Sequence, residues 1–311
     1  YHQGVGWPEE NAMEQQWRAV SKHLAKYDIY YSPDSSLNLI APVTRHLVEK
    51  LRAESRNGIE GGYLYMGQSY EQLGAGHLLL AKLMWDPETD VEALARDYYG
   101  SLYGAAAEKV QAYYDLLETR LIQAKHRPRL DTEVAAIRLA LRKHPGLGSP
   151  AFILSAYEPI LDEATALISD AKACELTDDE AARLQRLVDQ HELLTTTVRG
   201  MFVAARLECD AKSSPEDAKS LLDLIAQREA VRVRLKTYAP SLYANLDLGD
   251  RRETESLSPG GALAKLARAL LAPRDATTST RMFPFGDFEK ASPDDLAETL
   301  RWSATGEAAI S

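Results

Sequence analysis

No stretch of this sequence concentrates lysine and arginine, and the formal net charge is −10 over 311 residues. No nucleic-acid partner is expected, because phosphate binding draws on clustered basic side chains. No apolar run approaches the roughly 20 residues of a membrane-spanning helix. Cysteine is scarce, with only Cys174 and Cys209. Neither belongs to a C-x-x-C, so a zinc site or a thioredoxin-type motif has no support. Two reduced core thiols and one bridge between neighbouring helices both stay open. There is no G-x-S-x-G, P-loop or G-x-G-x-x-G. His77 falls mid-helix with no second ligand at helical spacing, which argues against a metal site, and no cofactor is expected. The chain opens Tyr1-His2-Gln3 without an initiator methionine. That start reads as a mature product or an excised piece, so the lack of a targeting segment says nothing about compartment.

What is present is ordinary globular material: 45% hydrophobic and 26% charged residues, in a length that allows two or more domains. Residues 14–26 place Trp17, Val20 and Leu24 on one helical face. Residues 27–32, YDIYYS, are aromatic and β-branched and stop at Ser32-Pro33-Asp34, which predicts a strand. Residues 41–57 predict a helix, with Pro42 in its first turn, Leu47 and Leu51 at helical spacing, and Gly58 as the glycine beyond its end. Residues 59–66, IEGGYLYM, predict a second strand, and residues 71–85 another helix. A strand, a helical crossover and a strand of this length imply a parallel pair joined in the right-handed sense. Two parallel strands alone would leave long unpaired edges, so the expectation is the tail of a larger α/β domain.

From residue 87 to about 272 the pattern is helical almost throughout. Asp90 suits an N-cap. A helix over 105–125 turns Val110, Tyr113, Tyr114, Leu117 and Leu121 inward, and helices are expected over 131–143 and 158–174. Thr177 with Glu180 forms a capping-box pattern opening a helix to about 211. Ser214-Pro215 opens its antiparallel partner, to about 238. His191 reads as a surface or core-edge residue of the first of these. A last helix spans about 260–271. Residues 273–280 are a polar linker, and 281–311 mix aromatics, glycine and proline without helical period over most of their length.

The stretch 78–118 resembles the family called domain of unknown function 4838, whose members resemble α-glucuronidases and other glycoside hydrolases. The resemblance rests on Trp85-Asp86-Pro87, on Asp90 opening the next helix, and on Tyr103-Gly104-Ala105-Ala106 leading into a tyrosine-bearing helix. Upstream, residues 27–32 and 58–67 match the style of a barrel's final two strands. Residues 285–302 resemble the opening of a jelly-roll carbohydrate-binding module. The resulting fold class is mainly α with a small α/β part. It comprises the C-terminal portion of a (β/α)8 barrel (1–86), a helical domain (87–272), and a linker with the start of a β-sandwich module (273–311).

Glycoside hydrolysis needs two carboxylates flanking the scissile bond, carried in such barrels at C-terminal strand ends. Glu60 precedes the apolar part of its strand, so it belongs at the opposite face as a solvated or salt-bridged residue. Asp28 takes the same reading. The productive face receives Tyr31, Ser32 and Asp34, then Tyr65, Gln68, Ser69 and Tyr70, with His2, Trp7 and Asn11 from the first loop. Aromatic faces and amide donors suit sugar binding, which makes His2, Trp7, Tyr31, Tyr65 and Gln68 the candidate substrate-binding residues. Tyr31 and Tyr65 can equally fill a barrel core, Asp34 a turn, and Glu71 a helix start. The principal acid and base are expected upstream of residue 1. What the resemblance implies is a carbohydrate partner, glycoside hydrolysis by the longer protein, and export from a cell. The alternative is a non-catalytic helical scaffold or carbohydrate-binding protein.

Overall fold

The computed structural model describes residues 7–29, 39–42, 44–65, 70–126, 150–209, 214–238 and 255–272. Tyr1–Leu271 form one compact unit and Ala272–Ser311 a second. The helix expected at 131–143 and the tail at 281–311 lie outside the described residues.

The first unit is mainly helical, with one small sheet. Helix α1 (Trp7–Val20) leads into strand β1 (Leu24–Ile29), α2 (Thr44–Arg56), β2 (Ile59–Tyr65) and α3 (Tyr70–Trp85). The strands pair in parallel, in the register Tyr27 opposite Tyr63 and Ile29 opposite Tyr65, with one irregularity between Leu24 and Ala25. The expected βαβ crossover is therefore present. Gly58 closes α2 at φ 81°, a left-handed conformation that only glycine adopts cheaply.

Several boundaries differ from the sequence expectation. β1 starts at Leu24 rather than residue 27, α1 ends at Val20, and α2 starts at Thr44, so Pro42 precedes the helix instead of lying in its first turn. The Ser21 hydroxyl donates to the His23 carbonyl at 2.8 Å, a local bond that turns the chain out of the helix. Pairing with Ile59–Tyr65 then sets the strand's start. Leu24 is consequently not on the helix, and Trp17 and Val20 are not core: they stand 59% and 79% exposed. Met13, Trp17 and Val20 form an apolar stripe at helical spacing with solvent on it.

Among the described residues the helix layer lies on one side of the sheet. Lys26 of β1 reaches Glu14 of α1 at 2.9 Å and Glu54 of α2 at 2.7 Å, so its face packs under those helices. Ala25, Tyr27 and Gly61, on the alternate face, are exposed. α2 lies against both α1 and α3. On α3, Ala81, Met84 and Trp85 are exposed, Trp85 at 91%.

The rest is a bundle: α4 (Val91–Tyr103), α5 (Ala107–His126), α6 (Pro150–Tyr157), α7 (Leu161–Lys172), α8 (Asp178–Cys209), α9 (Pro215–Tyr238) and α10 (Ala262–Leu271). Its starts follow local chemistry. Asp90 accepts from the Ala93 N–H at 3.0 Å. Thr177 and Glu180 make the reciprocal capping box, with the Thr177 N–H donating to Glu180 at 2.9 Å and the Glu180 N–H to the Thr177 hydroxyl at 3.4 Å. Ser214 accepts from the Asp217 N–H. α8 and α9 run antiparallel: Arg206 meets Asp217, Arg228 meets Thr197 and Arg234 meets Asp189. Val110, Tyr113, Leu117 and Leu121 are fully buried on α5, as the periodicity predicts. Cys174 is a free, partly buried thiol packed against the core, so the bridged reading does not hold.

Candidate functional site

Parallel strands and their return helices give the sheet region a starting end and a finishing end. Glu60 stands near the start of β2, where His23 lies 2.9 Å and Arg18 3.7 Å from its carboxylate oxygens. The His23 hydrogen bond, with charge from His23 and Arg18, holds the Glu60 carboxyl below its usual range. This is the salt-bridged residue at the strand's start that polarity predicts.

The other end is where β1 and β2 finish, side by side at Ile29 and Tyr65. Trp7 opens α1, whose far end leads into the start of β1, so topology puts Trp7 at this same end. The side chains of Trp7, Asn11, Asp28, Tyr65, Tyr70 and Glu71 lie outside the described residues. His2, Tyr31, Ser32, Asp34, Gln68 and Ser69 lie outside them altogether. The structure thus brings Trp7 and Tyr65 to one end by backbone placement.

The bundle also meets this end. Leu39, Ile40 and Ala41, which precede α2, are buried completely or nearly so. The Tyr157 hydroxyl of α6 donates to the Ile40 carbonyl at 3.0 Å. The Arg45 N–H, in the first turn of α2, donates to the buried Glu118 carboxylate of α5 at 2.6 Å. The Arg45 guanidinium meets Asp115 at 2.9 Å. Helix α2 is therefore capped by the Glu118 carboxylate of the bundle, where its dipole favours negative charge. Burial pushes the Asp115 carboxyl up, and Arg45 opposes that shift.

Between these elements lies a small cavity of about 20 Å³. Thr44 and Gln72 border it from the starts of α2 and α3, and Tyr98, Tyr99, Tyr103 and Tyr114 from α4 and α5. α3 is kinked here at Leu73 (φ −127°, ψ 21°), whose carbonyl accepts from Nδ1 of His77 at 2.9 Å. Gly76 permits the close approach of α2, since a Cβ there would sit 3.3 Å from the Thr44 hydroxyl. Burial raises the phenol pKa values of Tyr99, Tyr103 and Tyr114, so all three stay neutral. The lining has hydroxyls, an amide and aromatic edges but no carboxylate.

The sequence leaves His191 open between a surface and a core-edge position. It is 6% exposed, so the surface reading fails. Its Nε2 lies 3.0 Å from Thr165 Oγ1, and that hydroxyl donates to the Leu161 carbonyl. Thr165 must therefore accept, which puts the ring proton on Nε2 and leaves Nδ1 to accept from the Tyr113 hydroxyl at 3.2 Å. Burial, with the Arg199 charge, lowers its pKa to about 4. The Tyr113 and Thr165 partners of His191 lie on α5 and α7, far away in sequence, while Thr195, one turn on in α8, stands 3.4 Å from Nε2. Among the described residues no group of three or more His, Cys, Asp or Glu could hold a metal ion, and no helix is long and apolar enough to cross a membrane.

No curated protein and no solved structure matches the chain. Residues 9–115, which contain both strands, α2 to α4 and the start of α5, match the family model described as Domain of unknown function (DUF4838), in support of the resemblance read from this same region.

Proposed function

We propose that residues up to about 86 are a sector of a (β/α)8 barrel in a glycoside-hydrolase-like protein. The barrel would cleave a glycosidic bond with an acid and a base carried on strands outside this sequence. The observation that carries the reading is the one-sided sheet. Parallel sheets are normally covered on both faces, yet Ala25, Tyr27 and Gly61 face solvent opposite the helix layer. Among the described residues no further strand pairs with either edge. The outer helices α1 and α3 carry exposed stripes at Met13, Trp17 and Val20 and at Ala81, Met84 and Trp85. A bare inner face, open edges and apolar flanks are what a closed ring of strand–helix units would cover. The glycoside element of the reading comes from the resemblance at Trp85-Asp86-Pro87, Asp90 and Tyr103-Gly104, and from the aromatic residues assigned to the strand-end face.

The 311-residue chain alone is expected to turn over no aryl glycoside. Robust hydrolysis by it, lost on Asp34→Asn, would overturn this assignment of the carboxylates. The longer natural protein should contain further strand–helix pairs with Asp or Glu at strand ends and should hydrolyse a member of an aryl-glycoside panel. If no such pairs precede these residues, the non-catalytic scaffold or carbohydrate-binding reading replaces the enzymatic one.

A further inference from the structure

From the cavity between α2, α3, α4 and α5 we infer a binding subsite for one hydroxyl-bearing arm of a neutral polyol such as a sugar. The inference rests on the carbohydrate reading above and adds a site that the bundle, not the strand ends alone, would build. Three observations carry it. The cavity stands where α2 and α3 begin, on the side where β1 and β2 finish. Its lining combines Thr44, Gln72 and four tyrosines, with no charged side chain. Its volume of about 20 Å³ matches one water or one hydroxyl rather than a whole ring.

Each feature selects a ligand class. Hydroxyl and amide groups donate and accept in turn, as polyol recognition requires. Aromatic walls suit the C–H surface beside a sugar hydroxyl. An uncharged cavity penalises a carboxylate that finds no cation there. A hydroxyl placed there must reproduce the hydrogen bonds a water would make in the same space.

The test uses the full 311-residue chain labelled with ¹⁵N, titrated with methyl glycosides of neutral hexoses and with a methyl glucuronide. The Gly74 and Gly76 amide resonances should shift saturably with a neutral probe, at an affinity on the order of millimolar. The glucuronide should bind about tenfold more weakly. Gly76→Ala puts a methyl group 3.3 Å from the Thr44 hydroxyl and should weaken binding about tenfold, with some loss of thermal stability because Thr44 must give way. Tyr98→Phe, which removes a hydroxyl and keeps the ring, should weaken it by a factor of about three to ten. The inference is overturned if no probe shifts these amides, if the glucuronide binds equally well, or if Gly76→Ala binds like the parent (a structural water only). Shifts confined to residues 281–311 count against it too. Absence of hydrolysis by the longer protein would sink the enzymatic reading and leave these shifts intact.

Discussion

The backbone N–H of Arg45 donates to the buried carboxylate of Glu118, 73 residues away in sequence, at 2.6 Å. One helix of the bundle thus supplies the cap that α2 lacks within its own segment. Thr44 and Arg45 open that helix without an acidic residue in its first turn.

Glu118→Ala should therefore destabilise the protein by about 1–3 kcal/mol, because a charged acceptor at a helix start is lost. Glu118→Gln keeps an acceptor and should cost less. Urea unfolding of the two variants measures the difference. Equal losses would show that packing, not the cap, is what Glu118 contributes.

Lys26 lies between Glu14 and Glu54, with side-chain exposures of 17%, 9% and 6%. Lys26→Met removes the cation from Glu14 and the nearer cation from Glu54, which keeps Lys50 at 3.9 Å, and should cost about 3 kcal/mol. Adding Glu14→Gln and Glu54→Gln to that variant should restore much of the loss. Should Lys26→Met alone cost under about 1 kcal/mol, the cluster is solvated in solution and does not act as a buried ion triad.

His191 gives the helical unit an acid-sensitive point. Its folded pKa is lowered to about 4 from 6.5, so between those values the unfolded chain binds the extra proton. Stability from this group is full above pH 6.5 and falls as pH drops toward 4, by up to about 3 kcal/mol. The difference in unfolding free energy between the parent and His191→Gln should shrink across that window. A difference independent of pH would mean that the imidazole is not kept neutral by the fold.

Gly61 and Gly62 are neighbours with opposite tolerance. A Cβ on Gly62 would lie 2.3 Å from the Lys26 carbonyl oxygen, whereas one on Gly61 would meet nothing within 4 Å. Gly62→Ala should force β2 off β1 and cost about 2 kcal/mol or more. Gly61→Ala should be neutral or stabilising by roughly a few tenths of a kcal/mol, since it restricts the unfolded chain. Amide hydrogen exchange on β1 would separate the two.

Much of the fold was legible because its signals are local. Asp90, the Thr177–Glu180 box, Ser214-Pro215 and Gly58 all act within a turn or so of chain, so their positions along it suffice. The parallel pairing followed from the length of the crossover, and the fate of Glu60 from strand polarity. Of the helical face assigned to Trp17, Val20 and Leu24, the first two lie on α1, but Leu24 opens β1 because pairing with β2 extends the strand back past the expected start. His2, Tyr31 and Gln68 rest on polarity alone, while Trp7 and Tyr65 are brought to the same end by the backbone.

By itself the sequence determined where most helices start and that two strands run in parallel, because capping, periodicity and crossover length are properties of neighbouring residues. Tertiary structure alone decided that His191 is buried and neutral, that Glu118 caps α2, and that four tyrosines of α4 and α5 close a cavity against Thr44 and Gln72. Those depend on residues tens of positions apart, and only packing brings such residues within hydrogen-bonding or van der Waals distance.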